Sequence, residues 1–89
     1  MTQDFSIAMT AARTIYEGLE RHWDEARGGI YRPGYSAQEN EAIETIAQQA
    51  RMLGMEESFD AAGNVHFVYP GSDRSKPVLM IGSHVDAVP

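Results

Sequence analysis

The sequence predicts an α/β domain: two N-terminal helices followed by a β-hairpin and a buried strand. Three observations carry this reading. Apolar residues recur at steps of three and four over residues 5–23 and again over 37–53. After Gly54 the period falls to two. Val78-Leu79-Met80-Ile81 is then an uninterrupted apolar run, as in a strand covered on both faces.

The first helix is expected over residues 5–23. Phe5, Ala8, Ala12, Ile15, Leu19 and Trp23 form its apolar stripe, with Met9 and Tyr16 beside it. At this spacing Phe5, Tyr16 and Trp23 read as core. Arg13, Glu17, Glu20 and Arg21 occupy the other face, residues 24–27 fray, and Gly28-Gly29 stop the helix. Residues 30–35 are a connection, because Pro33 cannot continue a helix and Pro-Gly favours a turn. Ser36-Ala37-Gln38-Glu39 matches a capping box, in which Ser and Glu satisfy each other's free amides. The second helix should run over residues 37–53 on Ile43, Ile46, Ala47, Ala50 and Leu53, with Gly54 as a left-handed C-terminal cap. Glu39, Glu41 and Glu44 in its first half and Arg51 in its last turn complement the helix dipole and read as a solvated face.

Residues 55–59 and 65–69 are expected to pair as a hairpin around Asp60-Ala61-Ala62-Gly63-Asn64, where Gly63 and Asn64 both tolerate positive φ. Residues 70–77 form a polar loop. A strand at 78–81 that is apolar on both faces needs neighbours on both sides. Only two further strands are predicted, so its partners are expected beyond Pro89.

Composition narrows the class of function without naming one. The 89 residues allow a single domain, and 43% hydrophobic with 22% charged residues is near the globular average. Thirteen acids against seven bases give a net charge of −6, which disfavours nucleic acid and anionic membrane as partners. With no cysteine there is neither a disulfide framework nor a thiolate metal site, which fits a reducing, cytoplasmic compartment. Met1-Thr2-Gln3-Asp4 lacks a basic n-region, so no cleaved signal peptide is expected.

The chemistry-bearing positions follow the apolar run. Ligands gather at the carboxyl ends of strands in open α/β sheets, and that end carries His84 and Asp86. In extended backbone residues i and i+2 share a side. His84 then offers one ring nitrogen to a metal, while Asp86 either reaches that metal or holds the other ring N–H. The same triplet in His22-Trp23-Asp24 falls at a predicted helix end, where i and i+2 diverge. His22 is therefore read as a solvated or half-buried helix residue and His66 as a sheet or surface residue. Arg32 reads either as a surface side chain or as one that reaches a substrate carboxylate.

Gly82-Ser83-His84-Val85-Asp86-Ala87-Val88-Pro89 resembles the G-S-H-x-D-[TA]-V-P segment of the M20 metallopeptidase superfamily, and most closely its zinc-dependent amidohydrolases of the hydantoinase/carbamoylase and allantoate type. Tyr35-Ser36 is similar to that group's helix entry. Gly54 through Asp60-Ala61-Ala62-Gly63-Asn64 resembles its hairpin. The resemblance spans about residues 30–89. It implies that residues 1–89 are the N-terminal, incomplete part of a single catalytic domain with a helix-flanked mixed sheet. It further implies that His84 ligates one ion of a two-metal site and that Asp86 is the neighbouring active-site acid orienting it. Zinc is the implied metal, with manganese, cobalt or nickel as alternatives. The implied complete enzyme is a homodimer that hydrolyses a linear amide or carbamoyl C–N bond of small N-carbamoyl or N-acyl substrates. The family's bridging Asp, Glu-Glu pair and two further His have no counterpart up to Pro89, so the chain by itself is expected to be inactive. Two other readings stand beside this one: an aminopeptidase or N-acyl amino acid deacylase of the same superfamily, and a non-catalytic α/β interaction module.

Overall fold

The computed structural model of the chain describes residues 5–89. Helix α1 spans Ser6–Leu19, followed by a 3-10 turn at Glu20–His22 and a short hairpin of β1 (Trp23–Asp24) and β2 (Gly29–Ile30). Helix α2 spans Ala37–Met52, and a second antiparallel hairpin joins β3 (Glu56–Phe59) to β4 (Val65–Val68). The architecture is mixed α/β, as the sequence predicts. Among the described residues no helix is long and apolar enough to cross a membrane.

Helix α2 forms as its signals dictate. The Ser36 hydroxyl accepts the Glu39 amide at 3.1 Å, a cap that contributes about 1 kcal/mol. Glu39 reaches back one residue further than a capping box requires: its carboxylate accepts from the amide of Tyr35, not Ser36. At the other end Gly54 adopts φ +81°. Its amide bonds Arg51 O, and Met55 N bonds Ala50 O, the two bonds of a Schellman cap. Arg51 also reaches Glu44 on its own helix and Glu57 on β3, tying helix to hairpin.

Helix α1 ends earlier than predicted. Asp24 is the cause, and its neighbours do not fray: the carboxylate accepts Arg27 N at 3.0 Å and Arg27 Nη1 at 2.8 Å. Gly28, at φ +70°, bonds Asp24 O. The local hydrogen bonds of this Asx-type turn replace further helix and send residues 29–32 back alongside 22–24.

The core is thin. Its buried apolar residues among those described are Ala11, Ala42, Ala47 and Ala50, and no large side chain is fully enclosed. Small residues bring α1 and α2 close, and a Cβ built on Gly18 would stand 2.8 Å from Thr45 Cγ2. Most of the α1 stripe does not share in this burial. Phe5, Tyr16 and Trp23, expected in the core, are 60%, 71% and 53% exposed. The reason is geometric: among the described elements α2 is the main one packed on α1, and its closest approach is at Ala11 and Gly18.

Residues 78–81 correct the prediction of a buried strand. They form no strand, and Val78, Leu79, Met80 and Ile81 are 76–89% exposed. None of residues 77–83 makes a hydrogen bond within the described chain. An apolar run becomes a strand only where neighbouring strands complete its ladder, and among the described residues none lies beside it. The radius of gyration, 15.3 Å, exceeds the ~12 Å of a closed domain this size.

Candidate functional site

The segment after the apolar run is held, although the run is not. Arg32 and Ala87 form an antiparallel bridge, with Arg32 N to Ala87 O at 2.9 Å and Ala87 N to Arg32 O at 2.8 Å. Successive residues of a strand present their N–H and C=O groups to opposite sides. Tyr31 N faces His22 O in the β1–β2 hairpin, so residues 85–89 lie on the other edge of that chain. Gly29 permits the approach: a Cβ there would meet Pro89 Cβ at 3.0 Å.

Within this segment His84 and Asp86 face each other. Nδ1 of His84 lies 3.0 Å from the Asp86 carbonyl and 3.2 Å from Asp86 Oδ1. Both neighbours are acceptors, so Nδ1 carries the proton and a neutral ring keeps its lone pair on Nε2. That nitrogen has no partner among the described residues. The His84 side chain is 81% exposed. The chemistry of this pair fits one metal ligand with the acid that orients it. It fits no more than that arm, because among the described residues no three His, Cys, Asp or Glu side chains cluster as a cation site.

The triplet at 22–24 behaves differently. His22 and Asp24 turn to separate partners, with Asp24 on Arg27. The His22 side chain is 6% exposed, with Nε2 2.9 Å from Glu41 Oε2 and Nδ1 3.2 Å from Arg32 Nη1. It sits at the end of the 3-10 turn rather than in a regular helix, more enclosed than a solvated residue. The hydrogen bond from His22 is the largest influence holding the Glu41 carboxyl below its ordinary range.

Arg32 matches neither sequence reading. It is 6% exposed and its guanidinium points inward. Nε donates to Val85 O at 2.6 Å, and Nη1 donates to Leu19 O at 3.0 Å and toward His22 Nδ1. The residue is thus committed to backbone and does not face a solvent-borne carboxylate. Sequence reasoning missed it because nothing local in Tyr31-Arg32-Pro33 announces a partner 53 residues away.

Two other features lie apart from this pair. His66 Nε2 meets Asp60 Oδ2 at 3.2 Å on the second hairpin. A groove of about 460 Å³ between α2 and that hairpin is lined by Tyr35, Glu39, Ile43, Glu57, Phe59 and others, and includes neither His84 nor Asp86.

Over 61 residues the chain is 34% identical to an N-carbamoyl-L-amino acid amidohydrolase of Geobacillus stearothermophilus; the aligned stretch is 68% of this chain and 15% of that protein. The chain therefore matches only about a seventh of that curated relative. No family model matches the chain, and no solved structure matches it. The similarity relates the chain to amidohydrolases.

Proposed function

We propose that this chain is the N-terminal part of a metal-dependent amidohydrolase of the M20 superfamily. Its reaction would be hydrolysis of the linear amide or carbamoyl C–N bond of a small N-carbamoyl or N-acyl amino acid. The observation that carries the proposal is the His84–Asp86 geometry: an exposed imidazole, its Nδ1 engaged by Asp86 and its Nε2 open. The amidohydrolase similarity agrees with it. The uncovered apolar surfaces of α1 and of residues 78–81 suit a chain that packs against more of its own domain.

In this reading His84 holds a divalent ion through Nε2, with zinc preferred over manganese, cobalt and nickel. Asp86 fixes the ring's tautomer and direction. When bound, such ions supply Lewis acidity and a water acidified toward neutral pH. Asp86 serves as the orienting acid, because its Oδ1 and its carbonyl oxygen face Nδ1. The complete enzyme is proposed to be a cytoplasmic homodimer.

The test is hydrolysis by the complete gene product, supplied with zinc or manganese, of N-carbamoyl amino acids, allantoate and dipeptides. Carbamoyl cleavage is expected, abolished by His84→Ala and reduced about 10–100-fold by Asp86→Asn. Cleavage of dipeptides alone would transfer the chain to the aminopeptidase side of the superfamily. Activity untouched by His84→Ala would remove the proposal's basis.

A further inference from the structure

We infer that Arg32 is a positioning residue for the His84–Asp86 pair, with His22 and Glu41 locking it in place. The inference rests on the reading of His84 as a metal ligand only for its consequence, not for its geometry.

Asp86 supplies both oxygens that face His84 Nδ1, one from its carboxylate and one from its own carbonyl. The orientation of that carbonyl depends on the peptide planes on either side of Asp86. Arg32 holds both flanks. Its side chain grips the carbonyl of Val85, and its backbone exchanges two hydrogen bonds with Ala87. One residue thus brackets Asp86 from before and after. No other hydrogen bond from outside residues 84–89 reaches this segment among the described residues.

The guanidinium is itself fixed at its far side. Nη1 donates to Leu19 O, where α1 passes into the 3-10 turn. It also points at His22 Nδ1, 3.2 Å away. A guanidinium has only donors, so His22 Nδ1 must be the acceptor. The proton of the neutral ring then sits on Nε2 and goes to Glu41 Oε2 at 2.9 Å. The line Glu41–His22–Arg32–Val85 connects α2, the end of α1 and the His84 segment. A lysine cannot reproduce it, since one ammonium does not present the planar fork that reaches two carbonyls and an imidazole together.

The experiment is nitrogen and proton NMR of the 89-residue chain and its Arg32→Lys, His22→Asn and His22→Phe variants. In the parent chain His84 should show the Nδ1–H tautomer pattern, and the Ala87 amide should exchange slowly. Arg32→Lys should move the His84 ring toward a mixed tautomer pattern and speed Ala87 exchange at least about tenfold. The amides of α2 should stay protected. His22→Asn keeps an acceptor near the Nδ1 position and should preserve the parent pattern, whereas His22→Phe should not. Cobalt(II), titrated as the bare ion, should shift the His84 ring signals about tenfold less effectively in Arg32→Lys. A folded Arg32→Lys chain with parent-like His84 tautomer and Ala87 protection overturns the inference. Should that variant not fold, the parent decides, because absence of a scalar coupling between Arg32 Nε–H and the Val85 carbonyl overturns it equally. If His84→Ala leaves hydrolysis by the complete gene product untouched while Arg32→Lys still changes the His84 tautomer, the metal reading fails and the positioning role stands.

Discussion

Arg32 donates its Nε–H to the carbonyl of Val85 at 2.6 Å, joining residues 53 apart in sequence. That bond helps hold residues 84–89, the segment that follows the apolar run. Residues 77–83 make no hydrogen bond among the described residues, yet two positions later the backbone is gripped from two directions. The grip falls on the residue between His84 and Asp86. Order in this region is therefore concentrated where the candidate chemistry lies rather than spread along the apolar run before it.

The bridge beside that bond depends on Gly29. A Cβ there would lie 3.0 Å from Pro89 Cβ and 3.4 Å from Pro89 Cα, closer than neighbouring atoms settle without moving. Gly29→Val should keep the β1–β2 pairing, which a β-branched residue favours, and push residues 85–89 outward. Ala87 amide exchange should speed about tenfold, while global stability changes by less than ~1 kcal/mol. Hydrogen exchange measured residue by residue checks this. Unchanged protection at Ala87 would mean that Pro89 yields and that Gly29 is not what admits the segment.

Local chemistry was legible in the sequence and long-range partnership was not. Ser36 and Gly54 mark both ends of α2 correctly, because caps are made by residues a few positions apart. Asp60 and Gly63 mark the second hairpin for the same reason. The Asp24 turn carried an equally local signal in Asp24 and Gly28-Gly29, obscured by a helical period that seemed to run through Trp23. The proximity of His84 and Asp86 followed from their i, i+2 spacing. The role of Arg32 had no such spacing to betray it. The apolar run at 78–81 shows the converse: a pattern states what a segment needs, and burial comes only when partners supply it.

Asp60 gives the hairpin a defined dependence on acid. Its carboxylate accepts from Ala62 N, Asn64 N, Asn64 Nδ2 and His66 Nε2. These bonds, those from Asn64 first, lower its pKa from 3.8 to about 2. On acidification the unfolded chain takes up this proton before the folded chain does, so the folded state loses relative stability as protons bind. Asp60's contribution should be complete above about pH 4 and should disappear as pH falls toward 2. Asp24, Glu41, Glu44 and Asp73 are shifted in the same direction. Urea unfolding at stepped pH should show a falling midpoint across this window, with a shallower fall in Asp60→Asn. An identical slope in the variant would show that the turn's amides do not favour the charged carboxylate.

The exposed run Val78-Leu79-Met80-Ile81 should govern self-association. Four apolar side chains, 79%, 89%, 76% and 89% exposed, stand on backbone whose amides and carbonyls have no partner among the described residues. Unpaired backbone carrying exposed apolar side chains, two of them β-branched, is a template for pairing with another chain. The parent chain should therefore associate with rising concentration between about 1 µM and 1 mM. Leu79→Lys with Ile81→Glu should suppress this by placing charges on the run, which is how natural edge strands are kept apart. Because the segment forms no hydrogen bond to α1 or α2, the helical circular dichroism of the double variant should match the parent. Sedimentation velocity over a concentration series checks the prediction. A parent chain that stays monomeric throughout would show that these four residues are protected in solution. Equal association in both chains would move the contact elsewhere, first to the exposed Phe5, Ile7 and Met9 of the α1 region.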